Sequence, residues 1–357
     1  MARLPESHRY HASSMKGACL RPLYFRMAYP EAFDPPSSLN ALGGTIGHYL
    51  MSCMHEGKEE WCASSKYYSD RIKQICRENQ DALFEPSGGN GEATGGGMRL
   101  DATGRGTWLD CERAELNAWL EKEADGYGEQ LLQYGRWWSV NVDPDPTKYI
   151  VGTEVDYTMT IGSKGAPYVV EGFIDLIVQH PIAGLMLLDW KFGTMLRSGL
   201  SEFTLGMDYQ LCTYALGMRD GTLRIGGETI EKIGKPDLMA FGLMEDLLPY
   251  QKRTTISLGK YPTRARSRWV ESLLAEGKSV YMPGDLRGPF IHEFAVTDAM
   301  LDQHRDEMRA RMAATRTGGA LVRVRGDHCS WCFWKEICLD EWNAAKRENA
   351  GDNRDEH

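Results

Sequence analysis

The amino-acid sequence predicts an α/β domain with one central sheet and helices on its faces. Two observations carry this expectation and a third supports it. Residues 149–161, 168–179 and 184–192 are consecutive stretches with strand patterning, joined by short turns, and so form an antiparallel meander. Helical periodicity both precedes and follows them. An apolar run at 238–244 suits a further, buried strand.

In chain order, residues 1 to about 35 carry prolines and aromatics, with a short helix expected after Ser13. From Leu42 to about Lys73 apolar residues recur at helical spacing, as in GGTIGHYLMSCMHEG. Residues 86–106 (PSGGNGEATGGGMRLDATGRG) are glycine-rich but lack G-x-x-x-x-G-K-[ST], which predicts a flexible loop and not a phosphate cradle. A helix is expected from Asp110 to about Trp138. The meander follows as YIVGTEVDYTMTI, a turn at SKGA (163–166), YVVEGFIDLIVQ and GLMLLDWKF. Next come a helix from Ser201 to about Met218, the strand from Leu238 to Met244 and a shorter strand from Thr254 to Leu258. The last elements are a helix from Thr263 to Glu276, a strand from Phe290 to Val296 and a helix from Asp298 to about Thr315, with Thr297 as its N-cap. No internal repeat is visible.

The length of 357 residues, 42% of them hydrophobic, suffices for one large domain or two modest ones. No run approaches the ~20 apolar residues of a membrane span. The start, MARLPESHRY, has no apolar core of a secretory signal, so a cytoplasmic location is expected. Nine cysteines, an odd number, argue against a disulfide framework. The net charge of −9 argues against non-specific nucleic-acid binding by the whole surface. Basic residues are nevertheless clustered: Lys252, Arg253, Lys260, Arg264, Arg266 and Arg268 lie in a stretch without an acidic residue, and 309–325 is Arg-rich. Each stretch reads equally well as solvated surface, and gains meaning only beside a site that handles a polyanion.

The chemistry concentrates in GFIDLIVQHPIAGLMLLDWKFGT, Gly172 to Thr194. Asp189 and Lys191 are two apart in one strand and point the same way, and a hairpin brings Asp175 beside Asp189. Charged groups in strands made of Ile, Leu, Met and Val are costly unless paired or metal-bound. Two close carboxylates repel each other, and a divalent cation removes the repulsion; oxygen ligands suit Mg²⁺ or Mn²⁺. The competing reading is a buried Asp–Lys ion pair with a surface Asp.

Gly172-x-x-Asp175, Asp189-x-Lys191 after a short turn, and then a helix with Gln210-x-x-x-Tyr214 together resemble the PD-(D/E)XK nuclease superfamily. The closer resemblance is to its RecB-like branch, which includes CRISPR-associated and AddB-type iron–sulfur nucleases. The resemblance implies a restriction-endonuclease-like core sheet flanked by helices and metal-dependent phosphodiester hydrolysis. Asp175, Asp189 and the Trp190 backbone carbonyl would hold Mg²⁺ or Mn²⁺, and Lys191 would position the attacking water or stabilise the transition state. Gln210 and Tyr214 would lie near the DNA, with the basic residues from Lys252 to Arg268 lining its path. The branch also places a histidine on a helix before the sheet, shortly after small residues. His48 in GGTIGHYL fits, although a lone helical histidine is more often a satisfied core or surface group; His55 competes. Glu154 matches an acidic position at the start of the hairpin, where an exposed strand glutamate is nearly as good a reading.

Near the C-terminus, HCSWCFWKEIC contains Cys329, Cys332 and Cys338 but no fourth cysteine. The spacing is neither a zinc ribbon nor a ferredoxin run. His328 could complete a Cys₃His zinc site. Candidate fourth cysteines are Cys19, Cys53, Cys62, Cys76, Cys111 and Cys212, of which Cys53, Cys62 and Cys76 sit in helical patterns with a ready core reading. In the iron–sulfur nucleases one cysteine precedes the core and three follow it with this C-x₂-C-x₅-C spacing. The resemblance therefore assigns Cys19, Cys329, Cys332 and Cys338 to a [4Fe–4S] cluster that joins the chain ends, with structural Zn²⁺ as the alternative.

On this reading the whole chain is a single nuclease domain. It comprises an N-terminal half-site (1–41), a helical region with the Gly-rich loop (42–148), the nuclease core (149–300), a C-terminal helix with the cysteine cluster (301–345) and a disordered tail (346–357). The expected activity is an exonuclease on DNA ends or single strands, in a bacterial cell or a phage-infected host. It would work with recombination, replication or CRISPR-adaptation proteins, and without a membrane. The alternatives are a non-catalytic DNA-binding subunit of the same fold and a cytosolic iron–sulfur redox protein.

Overall fold

A computed structural model of the chain describes residues 9–11, 19–21, 37–84, 107–162, 167–192, 208–244, 291–317, 332 and 336–340. The elements in order are β1 (Arg9–His11), α1 (Leu39–His55), α2 (Ser65–Glu78), α3 (Gln80–Leu83), α4 (Arg113–Asn141), β2 (Ile150–Ile161), β3 (Tyr168–His180) and β4 (Gly184–Lys191). They continue with α5 (Tyr209–Asp220), β5 (Thr222–Ile225), β6 (Glu228–Glu231), β7 (Leu238–Leu243), β8 (Ile291–Ala295) and α6 (Asp298–Thr317).

The expected meander is present. β2 pairs antiparallel with β3, and β3 antiparallel with β4. β7 then lies parallel to β4, with β8 antiparallel on its outer side. The strand path is β6-β5-β2-β3-β4-β7-β8. β1 pairs in parallel with β3 over Val169–Glu171, while β4 pairs with the same strand from Leu176 onward. Two layers of helix cover the sheet. Leu42, Ile46, Tyr68, Leu131 and Trp138 from α1, α2 and α4 pack with Leu176, Val178, Leu188 and Trp190 on one side. On the other, Leu211, Ala215 and Met218 of α5 and Leu301, Met308 and Met312 of α6 pack with Tyr157, Ile174, Leu187 and Phe241.

The single helix expected over 42–73 is two helices. Ser38 caps α1 by accepting from Ala41 N–H at 3.1 Å. Its other end is a Schellman stop: Gly57 takes φ 69°, Gly57 N–H bonds Met54 O and Lys58 N–H bonds Cys53 O at 2.8 Å. Ser64 then caps α2 by accepting from Tyr67 N–H. The helix expected over 201–218 is described from Tyr209, where Asp208 caps it. Thr297 caps α6 as expected, accepting from Met300 N–H at 3.2 Å.

The hairpin β5–β6 is not among the sequence expectations, although its signal is present: Gly226 and Gly227, at φ 58° and 86°, form a two-residue turn that only left-handed conformers close. Its strands are four residues each, and the alternation in Thr222–Ile225 spans only two apolar positions, Leu223 and Ile225. β1, three residues long, is likewise too short to show a pattern. The expected helix after Ser13, the Gly-rich loop, the strand at 254–258, the helix at 263–276 and the tail lie outside the described residues.

Two buried histidines make the fold acid-sensitive. His55 bonds Pro146 O at 2.8 Å and Tyr134 Oη at 2.5 Å, and burial lowers its pKa to about 4. His304 bonds Thr213 Oγ1 at 2.9 Å, and burial, helped by Arg311, lowers it to about 4. In the unfolded chain both take up protons near pH 6.5, and in the fold only near pH 4. Stability is therefore expected to fall as pH drops from about 6.5 toward 4, and urea unfolding at several pH values checks this. His55→Gln should flatten the slope relative to wild type.

Candidate active site

β2, β3 and β4 place three carboxylates in one row. The β2–β3 register pairs Thr153 with Leu176 and Val155 with Ile174, so Glu154 stands opposite Asp175. The β3–β4 pairing runs from His180–Gly184 to Leu176–Leu188, and Asp175 and Asp189 occupy the next rung. Both β2 and β3 turn over at this point. Val155 and Ile174 face the α5–α6 layer, whereas Leu176 packs on the other side and Thr153 bonds Ser52 of α1. Residues two apart should share a face. The turnover is absorbed at Glu154, a non-glycine residue with φ 45°.

α1 brings His48 onto the row. Its Nδ1 lies 3.3 Å from Asp175 Oδ2 and 4.0 Å from Glu154 Oε1. Ligand atoms of His48, Glu154 and Asp175 all lie within 4.8 Å of one another, and among the described residues these three form the group with metal-ligand spacing. Asp175 also accepts the Trp190 backbone N–H through Oδ2 at 2.8 Å, which fixes its carboxylate beside β4. One imidazole and two carboxylates suit Mn²⁺ or Mg²⁺. The donor set thus fits a divalent cation.

Asp189 plays a different part. It is 1% exposed and ion-paired with Lys191 through Oδ2. No hydrogen bond of good geometry reaches Oδ2, but the ammonium contact means that the oxygen is compensated. Gln210 Nε2 approaches its Oδ1 at 3.4 Å and bonds Tyr214 Oη at 2.7 Å. The Gln-x-x-x-Tyr side chains are therefore buried and aimed at Asp189 from α5, not spread on an exposed surface. Burial pushes the Asp189 carboxyl up to about 6 against the pull of Lys191. Burial likewise raises Asp175, opposed by Lys191 and the Trp190 N–H. Burial by itself would lower Lys191, but Asp189 and Asp175 outweigh it and hold the ammonium charged.

The expected small residues before His48 have a steric reason. A Cβ on Gly47 would meet the Phe192 ring at 2.5 Å, and one on Gly43 would meet Tyr127 at 2.5 Å. Phe192 stacks on Tyr127 at 5.9 Å and leans on His48 at 5.5 Å. Trp190 packs edge-on against Tyr134 of α4 at 5.0 Å and lines the cleft. The helical region preceding the sheet thus supports both β4 and His48. His55, the competing histidine, is a satisfied core residue two turns further along α1, at its C-terminal end.

The site opens into a cleft of about 1080 Å³. One strip of α1 lines it, Asn40, Ala41, Gly44, Thr45, His48, Tyr49, Ser52, Cys53 and Glu56. Of this strip the sequence marks His48 as a candidate metal ligand and Cys53 as a candidate cluster cysteine, although the four-residue recurrence is a legible helical stripe.

Cys19, Cys332 and Cys338 are half-buried and in no disulfide among the described residues, where they form no three-ligand group. Cys53, Cys76 and Cys212 are buried in the core. Cys329, His328 and the basic residues Lys252, Arg253, Lys260, Arg264, Arg266 and Arg268 lie outside the described residues. Arg309 and Arg311 are paired along α6 with Asp306 and Glu307. No helix among the described residues is long and apolar enough to cross a membrane.

The family model of the PD-(D/E)XK nuclease superfamily matches residues 22–339. Among curated proteins none matches the chain.

Because the row penalises its own negative charge, Asp175→Asn should keep the Trp190 contact and raise the melting temperature of metal-free protein by about 1–3 °C. Added Mn²⁺ should raise the melting temperature of wild type and not of the variant, which differential scanning fluorimetry checks.

Proposed function

Since the chain belongs to the PD-(D/E)XK nuclease superfamily, we propose that it is a divalent-metal-dependent deoxyribonuclease acting on DNA ends or single strands. The observation that carries this reading is the row Glu154–Asp175–Asp189, with His48 above it and Lys191 beside it. Three carboxylates against one lysine leave two negative charges, which a divalent cation would neutralise.

His48, Glu154 and Asp175 would hold the ion, with Asp189 and the Trp190 carbonyl on its β4 side. When bound, the metal supplies a water of lowered pKa and an electrophile for the phosphoryl oxygen. The protein's own groups do the rest. Lys191, kept charged by Asp189 and Asp175, stands where it can orient the attacking water or meet charge developing on the phosphate. Gln210 and Tyr214 hold Asp189 in place, so that Asp189 fixes the ammonium. Phe192, backed by Tyr127, walls the site from one side.

Support for the DNA path along 251–268 rests on charge alone. The [4Fe–4S] assignment to Cys19, Cys329, Cys332 and Cys338 rests on the cysteine spacing and its resemblance to the iron–sulfur nucleases. Such a cluster would tie the chain ends together, its binding energy serving as folding energy. A place in recombination, repair, phage DNA metabolism or CRISPR adaptation follows from the same resemblance.

Lys191→Ala should lower cleavage by at least about 10³-fold while the protein still folds and binds DNA, with a lowered melting temperature because buried Asp189 loses its counter-ion. Labelled linear and circular, single- and double-stranded DNA with Mg²⁺ or Mn²⁺ is the assay; undiminished metal-dependent hydrolysis by the variant sinks the assignment. Anaerobically purified protein should be brown, and Cys19→Ala should lose both colour and stability. A colourless protein with stoichiometric zinc would instead support the Cys₃His alternative.

A further inference from the structure

Gly43, Gly44 and Gly47 all lie in the first half of α1, and two of them are explained by packing within the chain. A Cβ on Gly43 would run into the Tyr127 ring and one on Gly47 into the Phe192 ring, each at 2.5 Å. Gly44 is different. A Cβ there would meet a single atom, Phe192 Cβ, at 3.9 Å, which is ordinary van der Waals contact. Glycine inside a helix is less stable than alanine, because it gives up more backbone freedom on folding. Alanine would fit at Gly44 and would strengthen α1, so packing among the described residues does not account for this glycine.

The space that Gly44 leaves belongs to the cleft. Gly44 is half-buried and lines it together with Ala41, Thr45 and Phe192. It stands four residues before His48, hence on the same face of α1 and about 6 Å along the axis. This cradle is uncharged and largely apolar. Thr45 Oγ1 donates back to Ala41 O at 3.1 Å, so its hydroxyl is used within the helix. The Phe192 ring stacks on Tyr127 and fits against Gly47, so this wall is fixed. A strand with a phosphate at His48, Asp175 and Lys191 has to lay the attached nucleotide along the cleft. In one direction the cleft leads to Glu56, a carboxylate already held by Thr153 and Lys58 at the negative end of α1. In the other it leads over Gly44, where α1 carries no Asp, Glu, Lys or Arg and a flat apolar face can approach the backbone closely. The flat apolar part of a nucleotide is its base.

We propose that Gly44, between Ala41 and Phe192, is the seat of the nucleobase that adjoins the scissile phosphate. The missing side chain is the room the base occupies, and the lost helix stability is the cost of that room. The proposal rests on the nuclease reading and deepens it.

Short single-stranded DNA oligonucleotides, intact or with one internal abasic residue, test it with full-length protein and Mn²⁺. Cleavage is read at the two bonds flanking the abasic position. For wild type, kcat/KM at one of these bonds should fall about tenfold against the same bond in the intact strand, the effect of losing one base contact. Gly44→Ala should raise the melting temperature by about 1–2 °C. The same variant should cut the intact strand about tenfold more slowly and bring the intact-to-abasic ratio close to one. A purely structural role would move stability and rate in the same direction, whereas here they move in opposite directions. Anisotropy of the two oligonucleotides should give the same ranking in binding, and the same loss of ranking in Gly44→Ala. Equal cutting of intact and abasic strands by wild type, an unchanged ratio in Gly44→Ala, or a lowered melting temperature of that variant would each overturn the subsite. If no DNA is cut, the nuclease reading fails, and the anisotropy ratio by itself decides: a preference for the intact strand that alanine removes supports the seat, and equal affinities refute it.

Discussion

Everything in this structure is arranged around three carboxylates on adjacent strands of an apolar sheet. Ionised carboxylates there are disfavoured by burial and by one another, and the raised pKa of Asp189 and Asp175 records that cost. One lysine offsets part of it, and a histidine delivered by a separate helix sits over the rest. A fold does not place such a row inside its core for stability, since apolar residues would serve better. The arrangement makes sense as a site whose charge is completed by a cation.

The scaffold around the row has the tolerances this demands. β2 and β3 both turn over at the row, and the strain of Glu154 at φ 45° is the local cost of aiming the acidic groups into one cleft. On the α1 side the constraint is steric. Gly43 and Gly47 let the Tyr127–Phe192 stack lie against the helix, and that stack sets the position of His48. On the sheet side Gly172 makes room for the Tyr157 ring, which also presses on Gly217 of α5. The first glycine of Gly172-x-x-Asp175 is therefore a packing requirement, and it couples β3 to the helix that carries Gln210.

The meander, the apolar fourth strand and the flanking helices were legible because their patterning has the period of the element that forms. The Asp175, Asp189 and Lys191 trio was legible for the opposite reason: those side chains break an otherwise apolar pattern. The helix boundary at Gly57 was missed because apolar spacing on the two sides of the Schellman stop is nearly continuous, although the His-Glu-Gly-Lys string was a sufficient warning. The β5–β6 hairpin was missed because its four-residue strands are too short for the alternation in Thr222–Ile225 to stand out. The first failure bears on the site, since Glu56 and Lys58 beside the Schellman stop line the cleft; the hairpin does not line it.

By itself the sequence determined the composition of the strands, the order of the elements and which charged groups had to be accounted for, because periodicity and burial cost act along the chain. Only the tertiary structure decided how those groups divide their work. Register placed Glu154 opposite Asp175, while the pairing of Lys191 with Asp189 left Asp175 to share His48 with Glu154. Packing against Tyr134 turned His55 into a core residue and left His48 in the cleft. Gln210 and Tyr214, adjacent to nothing charged in sequence, became the support of Asp189. These are distances between residues far apart in the chain. They depend on strand register and helix packing, which no local pattern encodes.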